Sequence, residues 1–298
     1  MTAETLLTLK ASGDLAHALV GHVARETGAR ALSIKGPFAA AFGLRDQRVS
    51  ADADILVEPA KNELVCAELD RRGWHPRAGR TPPTFIDMHS VTLIHDAWPC
   101  DLDVHRYFPG FLASPEVVFD LLWQGREIHR AAGGEVATPS RAGMAAIVAL
   151  HAVRTPDLAK SRRDLVTVRE SISTRFTRAE VDDFCEIVAA GRAQWVLRDL
   201  IDEVGLPLTE DDATPAEKRL WEKNQQPALN KAASLWIREV ADAPVLQKPG
   251  AIFHALWVPR AHIPRNDPQR VPTWRESWTF QRSRWRRGIR ALAAYFGR

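Results

Sequence analysis

The chain has 298 residues, 45% hydrophobic and 26% charged, an ordinary balance for one or two folded domains whose core needs no disulfide or structural metal. Three scattered cysteines, Cys66, Cys100 and Cys185, lack metal-ligand spacing, and no run approaches the 18 apolar residues of a membrane span. The net charge of +3 hides an asymmetry: residues 270–298 hold eight arginines and one glutamate, a local +7, and the remainder carries −4.

Residues 3–27 place Leu6, Leu9, Ala16, Leu19, Val20 and Val23 near helical spacing, with Gly28 as the stop. Charges among those apolar residues mark an amphipathic helix and not a secretory leader, so a cytoplasmic, reduced protein is expected. Ala31–Ile34 reads as a buried strand, and Gly36-Pro37 opens a small-residue helix through Phe42. Asp52–Val57 is a second strand. Pro59 starts a helix to Arg72, closed by Gly73. Strands at Val91–His95 and Cys100–His105 flank a short turn, and Pro115–Trp123 is another helix.

From Ser140 onward the pattern is helical, over Met144–His151, Leu158–Glu170, Arg178–Ala190, Gln194–Val204 and Pro215–Val240. The expected organisation is an α/β unit with a mixed sheet at residues 1–138, an all-helical domain at 139–245, and a Pro/Trp/Arg-rich arm at 246–298. In the arm, Trp278, Trp285, Ile289 and Leu292 fall near helical spacing. They predict an amphipathic helix that buries these residues and leaves its arginines in water. Tryptophans interleaved with arginines could also contact RNA.

The sharpest feature is Asp52-Ala53-Asp54-Ile55-Leu56-Val57. Residues two apart in a strand share a face, so Asp52 and Asp54 point together while Ile55 and Val57 turn the other way. Neighbouring carboxylates repel, and a hard cation relieves that repulsion. The second acidic strand, Asp101-Leu102-Asp103-Val104-His105, repeats the pattern with Asp101, Asp103 and His105 on one face. Aspartate is depleted in strands, so two acidic faces on apolar strands favour metal binding over exposed turn residues. Arg48 could reach a phosphate or pair with Asp52. His151 reads as a core histidine linking the two domains, and Asp164, beside Arg162 and Arg163, as a structural ion pair.

Ile34-Lys35-Gly36, followed by Arg48 four residues ahead of an Asp-x-Asp that runs into Ile-Leu-Val, resembles the bacterial family of uncharacterised nucleotidyltransferases in the DNA polymerase β-like superfamily. Asp103-Val104-His105 matches that family's Asp-x-His step. Thr138-Pro139, His151 and Asp164 look like its helical landmarks, and the resemblance spans roughly residues 30–170. It implies transfer of a nucleoside monophosphate from a nucleoside triphosphate such as ATP to an acceptor, with release of pyrophosphate. The acceptor could be a small molecule, a protein or an RNA. By the same resemblance Asp52, Asp54 and Asp103 are the catalytic metal ligands for two magnesium ions, with manganese able to replace them. Lys35, Gly36, Arg48 and His105 are the nucleotide-binding residues. One departure stands out: the wider superfamily has Gly-Ser where this chain has Gly36-Pro37, and proline has no N–H or hydroxyl to offer a phosphate. The alternative expectation is a non-catalytic nucleotide- or RNA-binding regulatory protein on the same fold.

Overall fold

The computed structural model describes residues 7–77, 89–207 and 213–224, together with residues 248–249, 252, 256–258, 260, 263 and 272–296. Contacts divide the chain into two units, one of Met1–Pro76 with His89–Gln225 and the other of Arg77–Met88 with Gln226–Arg298.

The first unit opens with α1 (Leu9–Glu26), capped by the Thr8 side chain, which accepts from the Ala11 N–H. There follow β1 (Ala31–Ile34), α2 (Gly36–Ala41), β2 (Asp52–Val57), a 3₁₀ turn at Pro59–Lys61, α3 (Asn62–Arg71) and β3 (His75–Pro76). Next come β4 (Ser90–Ile94), β5 (Asp101–His105), α4 (Pro115–Gln124) and a hairpin of β6 (Glu127–Ala131) and β7 (Gly134–Thr138). Helices α5 (Arg141–Arg154), α6 (Ala159–Thr174), α7 (Arg178–Ala190), α8 (Gln194–Glu203) and α9 (Pro215–Asn224) complete it. A mixed α/β core is thus followed by helices, as the sequence predicts. The hairpin was not foreseen, and α9 as described ends at Asn224, short of the expected Val240. Residues 225–240 of that expected helix, and residues 3–6 of the first, lie outside the described residues.

The five-stranded sheet has the order β1-β2-β5-β4-β3, with β2 and β5 parallel and the other neighbours antiparallel. Both faces are covered. Ala53, Ile55, Val57, Leu102 and Val104 pack with Ala16, Val20 and Val23 of α1 and Val65 and Leu69 of α3. Leu32, Ile34 and Leu56 face a larger core centred on α5, whose residues Ala142–Leu150 are all buried. A helix apolar on every side belongs inside, and α5 is the axis around which α4, α6, α7 and α8 pack. Two covered faces explain why β2 runs apolar after Asp54 and does not alternate. The acidic ends of β2 and β5 therefore sit against buried surface, where charge needs a partner.

In the second unit, α10 (Trp274–Phe296) carries the tail arginines. Among its described side chains the buried ones are Ser277 and Gln281, while Trp278 is 48% exposed and Ile289 66%. Gln281 accepts from the Val258 N–H and donates to its carbonyl oxygen, and Trp285 Nε1 donates to the Leu256 carbonyl. The expectation that Trp278 and Ile289 would be covered is therefore corrected, and the side chain of Leu292 lies outside the described residues. Among the described residues no helix is long and apolar enough to cross a membrane.

Candidate metal and anion site

The site begins at the turn from β1 into α2. Lys35 (φ 59°) and Gly36 (φ 47°) both adopt left-handed backbone angles. Glycine does so freely, whereas lysine there stores on the order of 1 kcal/mol. The surroundings hold it. The Lys35 N–H donates to Met144 Sδ at 3.2 Å, and Nζ lies 2.5 Å from Asp54 Oδ1 and 5.7 Å from the Phe108 ring centre. The Lys35 and Asp54 side chains are only 8% and 7% exposed, so this is a buried ion pair. Pro37 occupies the first turn of α2, which at six residues is too short to present a strong helix dipole.

The parallel pairing of β2 with β5 brings the carboxylates together. Asp52 lies opposite Asp101, Asp54 opposite Asp103, and Leu56 opposite His105. Ligand atoms of Asp54, Asp103 and His105 lie within 4.8 Å of one another. His105 Nε2 is 3.0 Å from Asp54 Oδ1, and Thr92 Oγ1 donates to Asp103 Oδ1 at 2.5 Å. Asp52 lies outside this group. Its Oδ1 accepts from Ser50 Oγ at 2.6 Å, and it lines a cavity of about 290 Å³ with Arg48, Val49, Pro37 and the α1 residues Lys10, Gly13, Asp14 and His17.

Burial alone would raise the Asp54 pKa. Lys35, and then the His105 hydrogen bond, outweigh burial and hold the carboxyl well below the usual carboxylate range. Asp54 is therefore charged at neutral pH. The donor set suits a divalent cation: two carboxylates stand on adjacent strands beside an imidazole, and the buried His105 Nδ1 has no hydrogen-bond partner among the described residues. A cation at Asp54 would share the carboxylate with Lys35 or displace it.

The other sequence-predicted residues fall on either side of this group. Arg48 does not pair with Asp52. Its Nη atoms donate to Asp164, which also accepts from Arg45 Nη2 at 2.9 Å. Asp164 is a structural ion pair as expected, but with arginines more than a hundred positions away and not with Arg162 or Arg163. Burial raises its pKa and Arg48 pulls it back. His151 sits on α5 beside the site. Burial, followed by the field of Lys35, pushes its pKa down to about 3.

Three residues to which the sequence reading gave no functional role lie at this site, His89 among them having been read as a structural histidine near the acidic strands. His17 Nδ1 pairs with Ser33 Oγ at 2.9 Å, and burial, partly offset by Asp54, lowers its pKa to about 4. His89 lies 5.7 Å from His105, ring centre to ring centre, and burial, then Arg154, lowers it to about 3. Arg154 is the third. The only local signal was His151-x-x-Arg154, a polar pair at helical spacing after an apolar run.

No family model and no curated protein matches this chain. Among solved structures it is similar to an antigenic nucleotidyltransferase-like protein from Paracoccidioides brasiliensis. That match has a TM-score of 0.40 at 9% identity and covers 67% of this chain and 94% of the other. At that level of similarity, function has to be read from the site itself.

Proposed function

We propose that the protein is a divalent-metal-dependent nucleotidyltransferase that moves a nucleoside monophosphate from a nucleoside triphosphate to an acceptor, releasing pyrophosphate. One observation carries the reading: β2 and β5, parallel and in register, put Asp54 beside Asp103 with His105 within reach of both. Asp54 and Asp103 would hold a metal ion, with His105 completing the group and Asp52 extending it toward a second. Magnesium suits the carboxylates, and the imidazole makes manganese an equal candidate. When bound, the ions would neutralise phosphate charge and make an acceptor hydroxyl more acidic.

The chain's own residues supply the rest. Lys35 delivers a positive charge at the point where phosphate oxygens would approach Asp54, and it can exchange between the carboxylate and the anion. Gly36 places backbone without a side chain at the same turn, where an added Cβ would come no nearer than 3.7 Å to His17. The apolar cover on both sheet faces restricts water and strengthens every charge interaction inside. Arg48, at the rim of the cavity, is positioned to meet a nucleotide while Asp164 steadies it.

The test is incubation with each α-labelled nucleoside triphosphate, magnesium or manganese, and a cell extract as acceptor source. Label transferred to a small molecule, protein or RNA by the parent, and lost with Asp54→Asn, supports the reading. Absence of transfer with all four nucleotides under both metals rejects it. The Lys35–Asp54 pair favours one rival, a non-catalytic nucleotide-binding regulatory protein, because Asp54 already has a cation. Tight, metal-independent triphosphate binding without turnover would select that rival.

A further inference from the structure

Near the carboxylates lies a cation to which the chemistry above gives no task. Arg154, in the last turn of α5, is half-buried, and its Nη1 donates to His89 Nε2 at 3.1 Å. Among the described residues this is its one side-chain hydrogen bond, and no carboxylate pairs with it. Among the described residues, Arg45 by contrast has Asp164, and Arg30 has Glu58 and Asp120. The remaining N–H groups of this half-buried guanidinium are not sealed from solvent, so they are open to an incoming anion. Burial lowers the Arg154 pKa, partly offset by Tyr107.

The neighbours fit a visiting anion. His89 must be neutral to accept at Nε2, so it aims the guanidinium without cancelling its charge. His151, three residues earlier on the same helix face, is likewise held neutral by burial. Both histidines feel the fields of Lys35 and Asp54 as well as that of Arg154, and His151 also feels Lys160. A chain of close contacts links Arg154 to Asp54: His89 lies 5.7 Å from His105, ring centre to ring centre, and His105 Nε2 is 3.0 Å from Asp54, which also holds Lys35. One multiply charged oxyanion could bridge from Lys35 to Arg154.

We propose that Arg154, propped by His89 and supported by Lys35 and Lys160, binds phosphate oxygens of an oligophosphate. These would be the outer phosphates of a triphosphate or the pyrophosphate that leaves it. The identity of the larger ligand rests on the nucleotidyltransferase reading; the phosphate site itself does not.

The test uses the full chain, its Arg154→Gln variant, and inorganic pyrophosphate as the probe, followed by calorimetric titration and by melting temperature in EDTA and in magnesium. The parent should bind pyrophosphate and melt higher in its presence. Arg154→Gln should weaken that affinity about ten- to a hundredfold. Its ligand-free melting temperature should equal or exceed the parent's, because no carboxylate among the described residues loses a partner with Arg154. Both results are required. A variant that is less stable without ligand, or does not fold, assigns Arg154 a structural role and overturns the proposal. So does unchanged pyrophosphate affinity, or a parent that binds no pyrophosphate. The two readings fail separately. Arg154-dependent pyrophosphate binding in a parent without nucleotidyl transfer keeps the phosphate site and removes the enzyme. Transfer by Arg154→Gln with the parent's KM for nucleotide keeps the enzyme and removes the phosphate site.

Discussion

The buried pair of Lys35 and Asp54 offers the most direct measurement. At 2.5 Å and an effective dielectric of about 20, their attraction is roughly 7 kcal/mol before desolvation is subtracted. Desolvation consumes much of this, so the net value of the pair is small, but removing one member strands the other in a low-dielectric site. Asp54→Asn leaves an ammonium whose side chain is 8% exposed with no carboxylate, and the expected loss is about 3–5 kcal/mol. Lys35→Met should cost less, because His105 Nε2 still bonds Asp54 at 3.0 Å and the strain of the left-handed lysine is unchanged. The double variant Lys35→Met/Asp54→Leu should lose less than the sum of the two single changes, with a coupling of about 2–3 kcal/mol. Urea unfolding at pH 7 in EDTA, followed by circular dichroism, gives all four values free of metal. Single losses below 1 kcal/mol that add without coupling would mean that the pair does not exist in solution. The electrostatic account of Asp54 would fall with it.

Acid should destabilise the protein between pH 6.5 and about 3–4. His17, His89 and His151 are held neutral in the fold, so the unfolded chain takes up more protons across that window, and each histidine costs about 2 kcal/mol by pH 5. A melting temperature at pH 5 equal to that at pH 7.5 would contradict this; stability above pH 7 should be insensitive to these groups. Asp103→Asn should abolish transfer while largely keeping triphosphate binding, and Asp101→Asn should keep most activity, as turnover and nucleotide titration of both variants would show. The reverse pattern would move the catalytic role to the Asp52–Asp101 row. In α10, Gln281→Ala should cost about 1–3 kcal/mol by removing two hydrogen bonds to Val258, whereas Trp278→Ser should cost less than 1 kcal/mol. Equal melting temperatures for these two variants would show that the polar side of the helix does not anchor it.

The acidic strands were legible because strand alternation and apolar content act locally. Asp52–Val57 and Ala31–Ile34 have the expected bounds, and Asp54 of the Asp-x-Asp step comes together with the Asp-x-His step. The β6–β7 hairpin was not legible. Its strand Glu-Ile-His-Arg-Ala is largely exposed, Ile128 included, so the alternation carries no hydrophobic signal. Its turn puts Ala132 (φ 47°) where asparagine or glycine usually announces a two-residue loop, with Gly133 after it. The partners of Arg48 and Asp54 were also out of reach. Asp54 meets a lysine nineteen positions back, through the pairing of β1 with β2, and Arg48 an aspartate 116 positions on, through the packing of α6. His17 and Arg154 belong to the site only because α1 and α5 lie against it, a fact of packing that no spacing in the chain encodes.

The parallel pairing of β2 with β5 also orders the way the molecule must assemble. Each strand has an antiparallel neighbour closer in sequence, β1 for β2 and β4 for β5, so two half-sheets can form before they meet. The seam between them closes a loop of about 50 residues, Asp52 against Asp101. It is the only step that forces Asp54 and Asp103 side by side. Like-charge repulsion, eased by Lys35 at Asp54, is therefore concentrated at one stage of folding, and under the proposed function a bound divalent cation would act as a latch on that seam. Amide exchange along β2 and β5 would report the latch directly, slowing when a divalent ion is supplied while the β6–β7 amides remain unchanged.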